Sequence, residues 1–329
     1  MSISVAVLIT YHNEGPFLAE CLESLRGSKT LPDEIMIYDD ASEILPEPFI
    51  PPDLSVRVIR SSVNTGPAKG RNTLLAACGS RYIHFHDADD LFAAGWCDEI
   101  RLALDGRQLD AVFTEVAPFY NGQERSEAGK ASLRELAGEI DLVRFCLTHA
   151  LLPAGGTYLK DRVLGIGGYS CDYWQSEDYD FHIRLAAAGL RFAVIQRPLV
   201  WQRHHPNNRS KDQIRVWSDS IRILGKLSTS LPAQYRQDVC DAIVARGRIL
   251  HQIGATEEAR QAFALAGRIG QPRLPGESFL YRILARSLGL DLTERLGSAY
   301  RLVLPARVRE SFRAIRRNAR LPRVFTGPV

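Results

Sequence analysis

Over roughly its first ninety residues the chain alternates unbroken apolar runs with segments whose apolar residues recur at helical spacing. "SVAVLITY" (4–11) shows no polar alternation, which is the pattern of a strand covered on both faces. "GPFLAECLESLRGS" follows, with Phe17, Leu18, Cys21, Leu22 and Leu25 on one helical face and Gly27 as a stop. "DEIMIYDD", "VRVIRS" and "RYIHFHD" read as further strands, and "GPAKGRNTLLAACGS" as a helix opened by Gly66 and Pro67. Such alternation predicts a mostly parallel α/β sheet flanked by helices, in which ligands bind beyond the carboxyl ends of the strands. Three polar clusters fall at those ends: "TYHNE" (10–14), "DDAS" (39–42) and "DADD" (87–90).

Further strands are predicted at "DAVFTEVAPFY" and "FAVIQRPLVWQRHH", with "EDYDFHIRLAAAG" between them as a helix with an acidic first turn. The texture turns helical near Lys211, so the expected division is an α/β domain over 1–210 and a helical C-terminal region over 211–329. The formal net charge of the 329 residues is +3, too small to argue for a nucleic-acid partner. From Gly297 onward there are eight Arg and one Glu, a local +7, so the rest sums to 3 − 7 = −4. This basic tail, "RVRESFRAIRRNARLPRVF", has an apolar side and suits an anionic lipid surface. The six cysteines form no CxxC pair, no apolar run approaches about eighteen residues, and "MSISVAVLIT" lacks a signal peptide's basic start. The expected location is cytoplasmic, with peripheral contact at the inner face of the membrane through the tail.

In "HFHDADDLF" a strand delivers Asp87, Asp89 and Asp90 to one point. Paired carboxylates suit hard cations such as Mg²⁺ and Mn²⁺, whose shells are completed by phosphate oxygens. The alternative is a solvated turn, with Asp90 as N-cap of a helix over "LFAAGWCDEI". His84 and His86 are expected to be packed within the sheet.

Taken in order, "LITYHNE", "IYDDAS", "NTGPAKGRN", "HFHDADD", "GGYS…SEDYDFHIRLAAAG" and "WQRHH" resemble the inverting family 2 glycosyltransferases of the GT-A fold, over about residues 3–210. Ala41 stands where that family usually has Gly, and Trp201 where Tyr is common. The resemblance implies a Rossmann-like GT-A domain that binds a nucleotide diphosphate sugar. Thr10, Glu14, Asp39, Asp40, Lys69, Arg71 and Asp87 would bind the nucleotide, with Asp40 the better candidate for the base. Asp89 would ligate Mn²⁺ or Mg²⁺ together with a histidine. Alignment on Trp201 selects His204 and alignment on Pro206 selects His205, with His204 preferred. Asp178 would be the catalytic base, and Gly168, Trp174 and Glu177 would meet the acceptor.

The resulting expectation is a metal-dependent hexosyl- or N-acetylhexosaminyl-transferase, UDP-linked in its donor, acting on a glycan or lipid-linked glycan of a surface polysaccharide. Two alternatives stand beside it. A nucleotidyltransferase would want a Gly- and Lys-rich phosphate loop after the first strand, which "TYHNEGPF" is not. A catalytically inactive nucleotide-sugar-binding scaffold would not need Asp178.

Overall fold

The computed structural model describes residues 3–120, 141–205, 211–274 and 279–303, together with Leu133, Leu136 and Glu277. Its residues group into two compact units, 1–146 with 150–211, and 147–149 with 212–329.

The first unit opens with β1 (Val5–Tyr11), α1 (Gly15–Arg26), β2 (Glu34–Asp40), β3 (Arg57–Ser61), α2 (Pro67–Ala77) and β4 (Tyr82–Asp87). It continues through β5 (Leu91–Phe92), α3 (Trp96–Leu104), β6 (Ala111–Tyr120), α4 (Leu142–Thr148), β7 (Gly156–Leu159), α5 (Lys160–Gly165), α6 (Glu177–Ala187) and β8 (Phe192–His204). The strands form one sheet in the order β3-β2-β1-β4-β7-β6-β8-β5. Among the described strands only β7 and β5 run against the others. The fold is therefore the mostly parallel α/β sheet that the alternation of elements predicts.

Strand β1 is closed to water on both faces, as its unbroken apolar run predicts. Val5, Val7 and Ile9 point into a cluster with Leu18, Leu22 and Leu25 of α1 and Trp96 and Ile100 of α3. On the opposite face Phe85, which pairs with Leu8, meets Tyr158, Tyr169 and Phe181 edge-on or tilted, so α6 packs there. The long β6–β8 pair slips register around Glu115, opposite Pro198, which has no N–H to give the ladder.

Two local expectations change. The helix drawn from Leu91 begins instead at Trp96, after Gly95 in the left-handed region, because Leu91 and Phe92 pair with Trp201 and Val200 of β8. The short strand "GTYL" was not foreseen; four residues are too few to show a period.

The second unit is helical: α7 (Gln213–Leu227), α8 (Arg236–Gln252), α9 (Thr256–Ile269), α10 (Phe279–Leu288) and α11 (Leu290–Val303). Asp212 caps α7 by accepting from Arg215 N at 3.1 Å. Cys240 and Ile243 of α8 and Ala259, Ala262 and Ala266 of α9 are fully or almost fully buried, and small residues let two helices close on one another. No helix among the described residues is long and apolar enough to cross a membrane. The basic tail lies outside the described residues.

Leu22 is completely buried and Leu102 is 70% exposed. Leu22→Ala should lower the free energy of urea unfolding by about 2–5 kcal/mol, and Leu102→Ala by no more than about 0.5 kcal/mol.

Candidate active site

Register alone gathers the strand-end residues. Thr10 lies opposite Asp87 across β1–β4, and Tyr11 opposite Asp39 across β1–β2. Thr10 Oγ1 donates to Asp87 Oδ1 at 3.2 Å.

Asp39 and Asp40 are both buried and both engaged by the protein. Asp39 accepts from Arg60 Nε at 2.6 Å and Ser42 N at 3.0 Å. Asp40 accepts from Thr65 N at 2.7 Å, Thr65 Oγ1 at 3.0 Å and Gly66 N at 2.8 Å. The pair thus braces the loops around a cleft; Asp39 serves the following turn and Asp40 holds the entrance to α2. Across from them, Asn13 Oδ1 accepts from Glu43 N and Ile44 N, both at 2.9 Å. Asn13, Ala41 and Ser176 adopt positive φ of 57–66°. Each strained backbone costs about 1 kcal/mol or more, and all three flank this region.

Arg71 is 3% exposed. One terminal nitrogen donates to Asp87 Oδ1 at 2.8 Å and the other to Glu177 Oε1 at 2.9 Å, while the guanidinium lies 5.0 Å from the Tyr169 ring centroid. Burial opposes its charge, but Asp87, Tyr169 and Glu177 outweigh burial and hold its pKa above the ordinary value. Burial likewise pushes the Asp87 carboxyl up, and Arg71 and Thr10 reverse this, leaving it below the usual carboxylate range.

Asp178 sits beside Glu177 at the start of α6 and accepts from Tyr179 N at 2.9 Å. Burial, then the Glu177 charge, push its carboxyl up to about 7, against the opposing pull of Arg71. Below it His182 Nδ1 is 2.7 Å from the Asp178 carbonyl and His182 Nε2 is 2.7 Å from Tyr158 Oη. Burial lowers His182 to about 4, so the ring is neutral. A carbonyl only accepts, so Nδ1 carries the proton and Nε2 accepts from the Tyr158 hydroxyl. This chain fixes the first turn of α6.

Asp89 meets His205, not His204, against the preference drawn from the sequence: His205 Nε2 is 3.0 Å from Asp89 Oδ2. Neighbouring residues of an extended chain face opposite ways, and His204 stacks on Tyr120, its β6 partner, at 5.0 Å between centroids. Asp90 is not a helix cap; its Oδ1 accepts from Arg203 N at 2.9 Å and ties the acidic turn to β8. Burial, then neighbouring carboxylates, raise the carboxyls of Asp89 and Asp90. Burial raises Glu14 to about 8, with Asp89 and Asp87 adding to it against the His12 N–H it accepts at 2.5 Å.

Nothing in the sequence reading singled out Arg203. It is 1% exposed, donates from Nε to the Asp89 carbonyl at 2.8 Å and from Nη2 to Glu20 at 2.7 Å, and lies between the rings of Phe17 and Phe119. Its sequence signals are its place within "WQRHH" and a charge at the end of an apolar run.

Trp174, nearly half exposed, walls a concavity of about 210 Å³ with Thr65, Gly66, Pro67 and Cys171. Gly66, at φ 80°, has a backbone that favours glycine, and a Cβ there would only touch the Trp174 ring at an ordinary 3.5 Å. The residues assigned from sequence to an acceptor separate here. Gly168 is buried, and a Cβ on it would lie 2.4 Å from Asn72 Oδ1, so its missing side chain makes room for Asn72. Glu177 is 7% exposed and holds Arg71. Lys69 is exposed on α2 and makes no ion pair among the described residues.

Among the described residues no three His, Cys, Asp or Glu side chains converge as a ready-made cation cage. Asp89 and His205 offer one carboxylate and one imidazole. Burial first, and neighbouring carboxylates second, raise the carboxyls of Glu14, Asp89 and Asp90, and a cation beside them would favour their ionised forms. A hard divalent cation that draws its other ligands from phosphates fits that donor set.

Residues 6–156 match Glycosyl transferase family 2. The uncharacterized glycosyltransferase YwdF of Bacillus subtilis (strain 168) is 27% identical over 187 residues, 56% of this chain and 68% of that protein. The pre-mycofactocin glycosyltransferase of Mycobacterium tuberculosis (strain CDC 1551 / Oshkosh) is 24% identical over 255 residues, 75% of this chain, which spans 51% of that protein. The crystal structure of S. aureus TarS 1-349 in complex with UDP-GlcNAc superposes with a TM-score of 0.70 at 16% identity, covering 91% of this chain and 92% of that one. The mannosyltransferase PcManGT from Pyrobaculum calidifontis, in complex with GDP-Man and Mn²⁺, superposes at 0.56 with 16% identity, covering 93% and 82%. Just under half of the chain thus resembles glycosyl transferase family 2, and the fold is the GT-A fold of these solved nucleotide-sugar glycosyltransferases.

A carboxyl whose folded pKa is raised destabilises the fold once it is ionised. The unfolded Asp178 ionises near the ordinary 3.8 and the folded one near 7, so stability is lost as pH rises through that window. Asp178→Asn should therefore melt several degrees above the parent at pH 8 and level with it near pH 4. Calorimetric melts at the two pH values check this.

Proposed function

We propose that residues 1–210 form the catalytic domain of a metal-dependent inverting glycosyltransferase with Asp178 as its base, and that residues 211–329 form a separate helical region. The observation that carries this reading is the Arg71 bridge. One buried guanidinium joins Asp87, at the end of β4, to Glu177, next to Asp178. It holds the acidic strand end and the base-bearing helix in one constellation.

Inversion needs a single carboxylate that takes the acceptor hydroxyl's proton as that oxygen attacks the anomeric carbon. The bond to the leaving nucleoside diphosphate breaks on the opposite face. Asp178, near 7, is basic enough to accept the proton and is about half ionised at neutral pH. Thr10, Glu14 and Asp87 line the nucleotide side, with Asp87 at the ribose. Asp39 and Asp40 shape the base pocket through the loops they hold. Lys69, on the exposed flank of α2, reaches for the nucleotide from outside. Trp174 offers a sugar-stacking face on the acceptor side. Gly168 and Glu177 act one layer behind, through Asn72 and Arg71. Asp89 and His205 would hold Mn²⁺ or Mg²⁺, which when bound offsets the charge building on the leaving diphosphate.

UDP is the preferred donor nucleotide, supported by the UDP-GlcNAc held by TarS, whose fold this chain shares over most of its length. GDP is the alternative that PcManGT keeps open. The sugar is a hexose or N-acetylhexosamine, passed to a glycan or lipid-linked glycan in surface-polysaccharide synthesis. Six free cysteines support a cytoplasmic setting.

Calorimetric titration with UDP, with and without Mn²⁺, tests the site. Asp89→Ala and His205→Ala should each weaken metal-dependent binding about tenfold or more, while His204→Ala should leave it within about twofold. Binding of GDP in place of UDP would keep the mechanism and change the donor. Failure of every nucleoside diphosphate would overturn the reading.

Asp178→Asn should keep donor binding and lose about 10²–10⁴ in kcat. In the parent, kcat/KM should climb with unit slope below pH 7 and level off above it, as the proton leaves Asp178. A flat profile would remove Asp178 as the base, and transfer with retention of configuration would remove the single-displacement mechanism.

A further inference from the structure

We propose that α10 is an interfacial helix that seats the C-terminal unit on an anionic lipid surface. The inference does not depend on the transferase reading and uses a different element from the tail. Phe279, Leu280 and Ile283 of α10 are 74%, 64% and 42% exposed. The helix reads "FLYRILARSL", with two Arg and no Asp or Glu. At about 100° per residue, Phe279, Ile283 and Leu280 form one arc, and Arg286 and Arg282 border it on one side. The opposite side carries Tyr281, Leu284 and Ala285, all partly buried, and ends in Leu288, which is exposed. Tyr281 fastens it to the unit: its hydroxyl accepts from Arg248 Nη2 at 2.9 Å and donates to Glu294 at 2.5 Å.

The helix is therefore apolar on both sides, anchored by one and presenting the other. Leu292 and Leu296 of α11 add exposed apolar side chains one turn apart. Exposed large apolar residues grouped on one element mark an interaction surface. The bordering charges select its partner. Arg282 and Arg286 make no ion pair among the described residues, and long arginines beside a Phe/Ile/Leu row reach headgroup phosphates while the row enters the acyl boundary. A second copy of the same face would set these arginines against one another across a twofold axis. Ten residues are too short to span a bilayer, so the helix lies in the surface plane.

Co-sedimentation of the full chain with phosphatidylcholine vesicles, with or without about 30% phosphatidylglycerol, tests the proposal. The parent should bind the anionic vesicles. Phe279→Ser, Leu280→Ser and Ile283→Ser combined should weaken that binding about tenfold or more at unchanged circular dichroism. Arg282→Gln with Arg286→Gln should weaken it several-fold. Three results would overturn it: no binding by the parent, equal binding by the triple variant (the tail then acts alone), or a parent dimer that the triple variant dissolves without vesicles. UDP titration of the same variants is read separately, so loss of vesicle binding and loss of the donor site cannot be confused.

Discussion

The first unit turns on one buried cation. Desolvating a guanidinium costs several kcal/mol, and only close, well-directed carboxylates offset it. Arg71 finds them in Asp87 and Glu177, with Tyr169 beside its plane. The three residues come from α2, the end of β4 and the start of α6. Their mutual dependence sets the distance between a strand end and a helix start that nothing local would hold together. It also absorbs much of the Glu177 charge, which otherwise presses on Asp178.

Around that bridge the charge is unbalanced. Asp87 has its counter-cation, while Glu14, Asp89, Asp90 and Asp178 all carry raised carboxyls, burial being the first cause in each. The nearby Arg203 donates to a backbone carbonyl and to Glu20 on the surface of α1, so it steadies the acidic turn more than it neutralises it. On the proposed reading this imbalance is useful. An anionic diphosphate is repelled from the strand ends unless a divalent cation accompanies it, which couples the two ligands.

Much of this was legible from the chain alone. β1, β2 and β4, the helices α1, α2 and α6, and the polar clusters at the strand ends follow from local periodicity and from Gly and Pro at element ends. What the chain alone did not show shares a cause. Asp90 before an apolar stretch looks like an N-cap, but Leu91 and Phe92 pair with β8, a strand more than a hundred residues later. Gly168 sits in a glycine-rich loop, and only the fold shows that the space of its missing Cβ is taken by Asn72 from α2. His204 and His205 are chemically equal in sequence, and only the pairing of Tyr120 with His204 shows which face each takes. Arg203 lies inside "WQRHH", but only the fold shows that it is buried and tied to the Asp89 carbonyl.

The sequence by itself determined the α/β architecture of the first unit, the helical character of the second, and the delivery of acidic residues to the ends of parallel strands. These rest on side-chain periodicity and chain stereochemistry, which act over a few residues. Only the tertiary structure decided which carboxylate receives Arg71, which histidine reaches Asp89, and that α10 keeps an apolar face outward. Those are contacts between residues far apart in the chain, set by strand order and register, and the energy of a buried charge or an exposed apolar face has no value until its neighbours are in place.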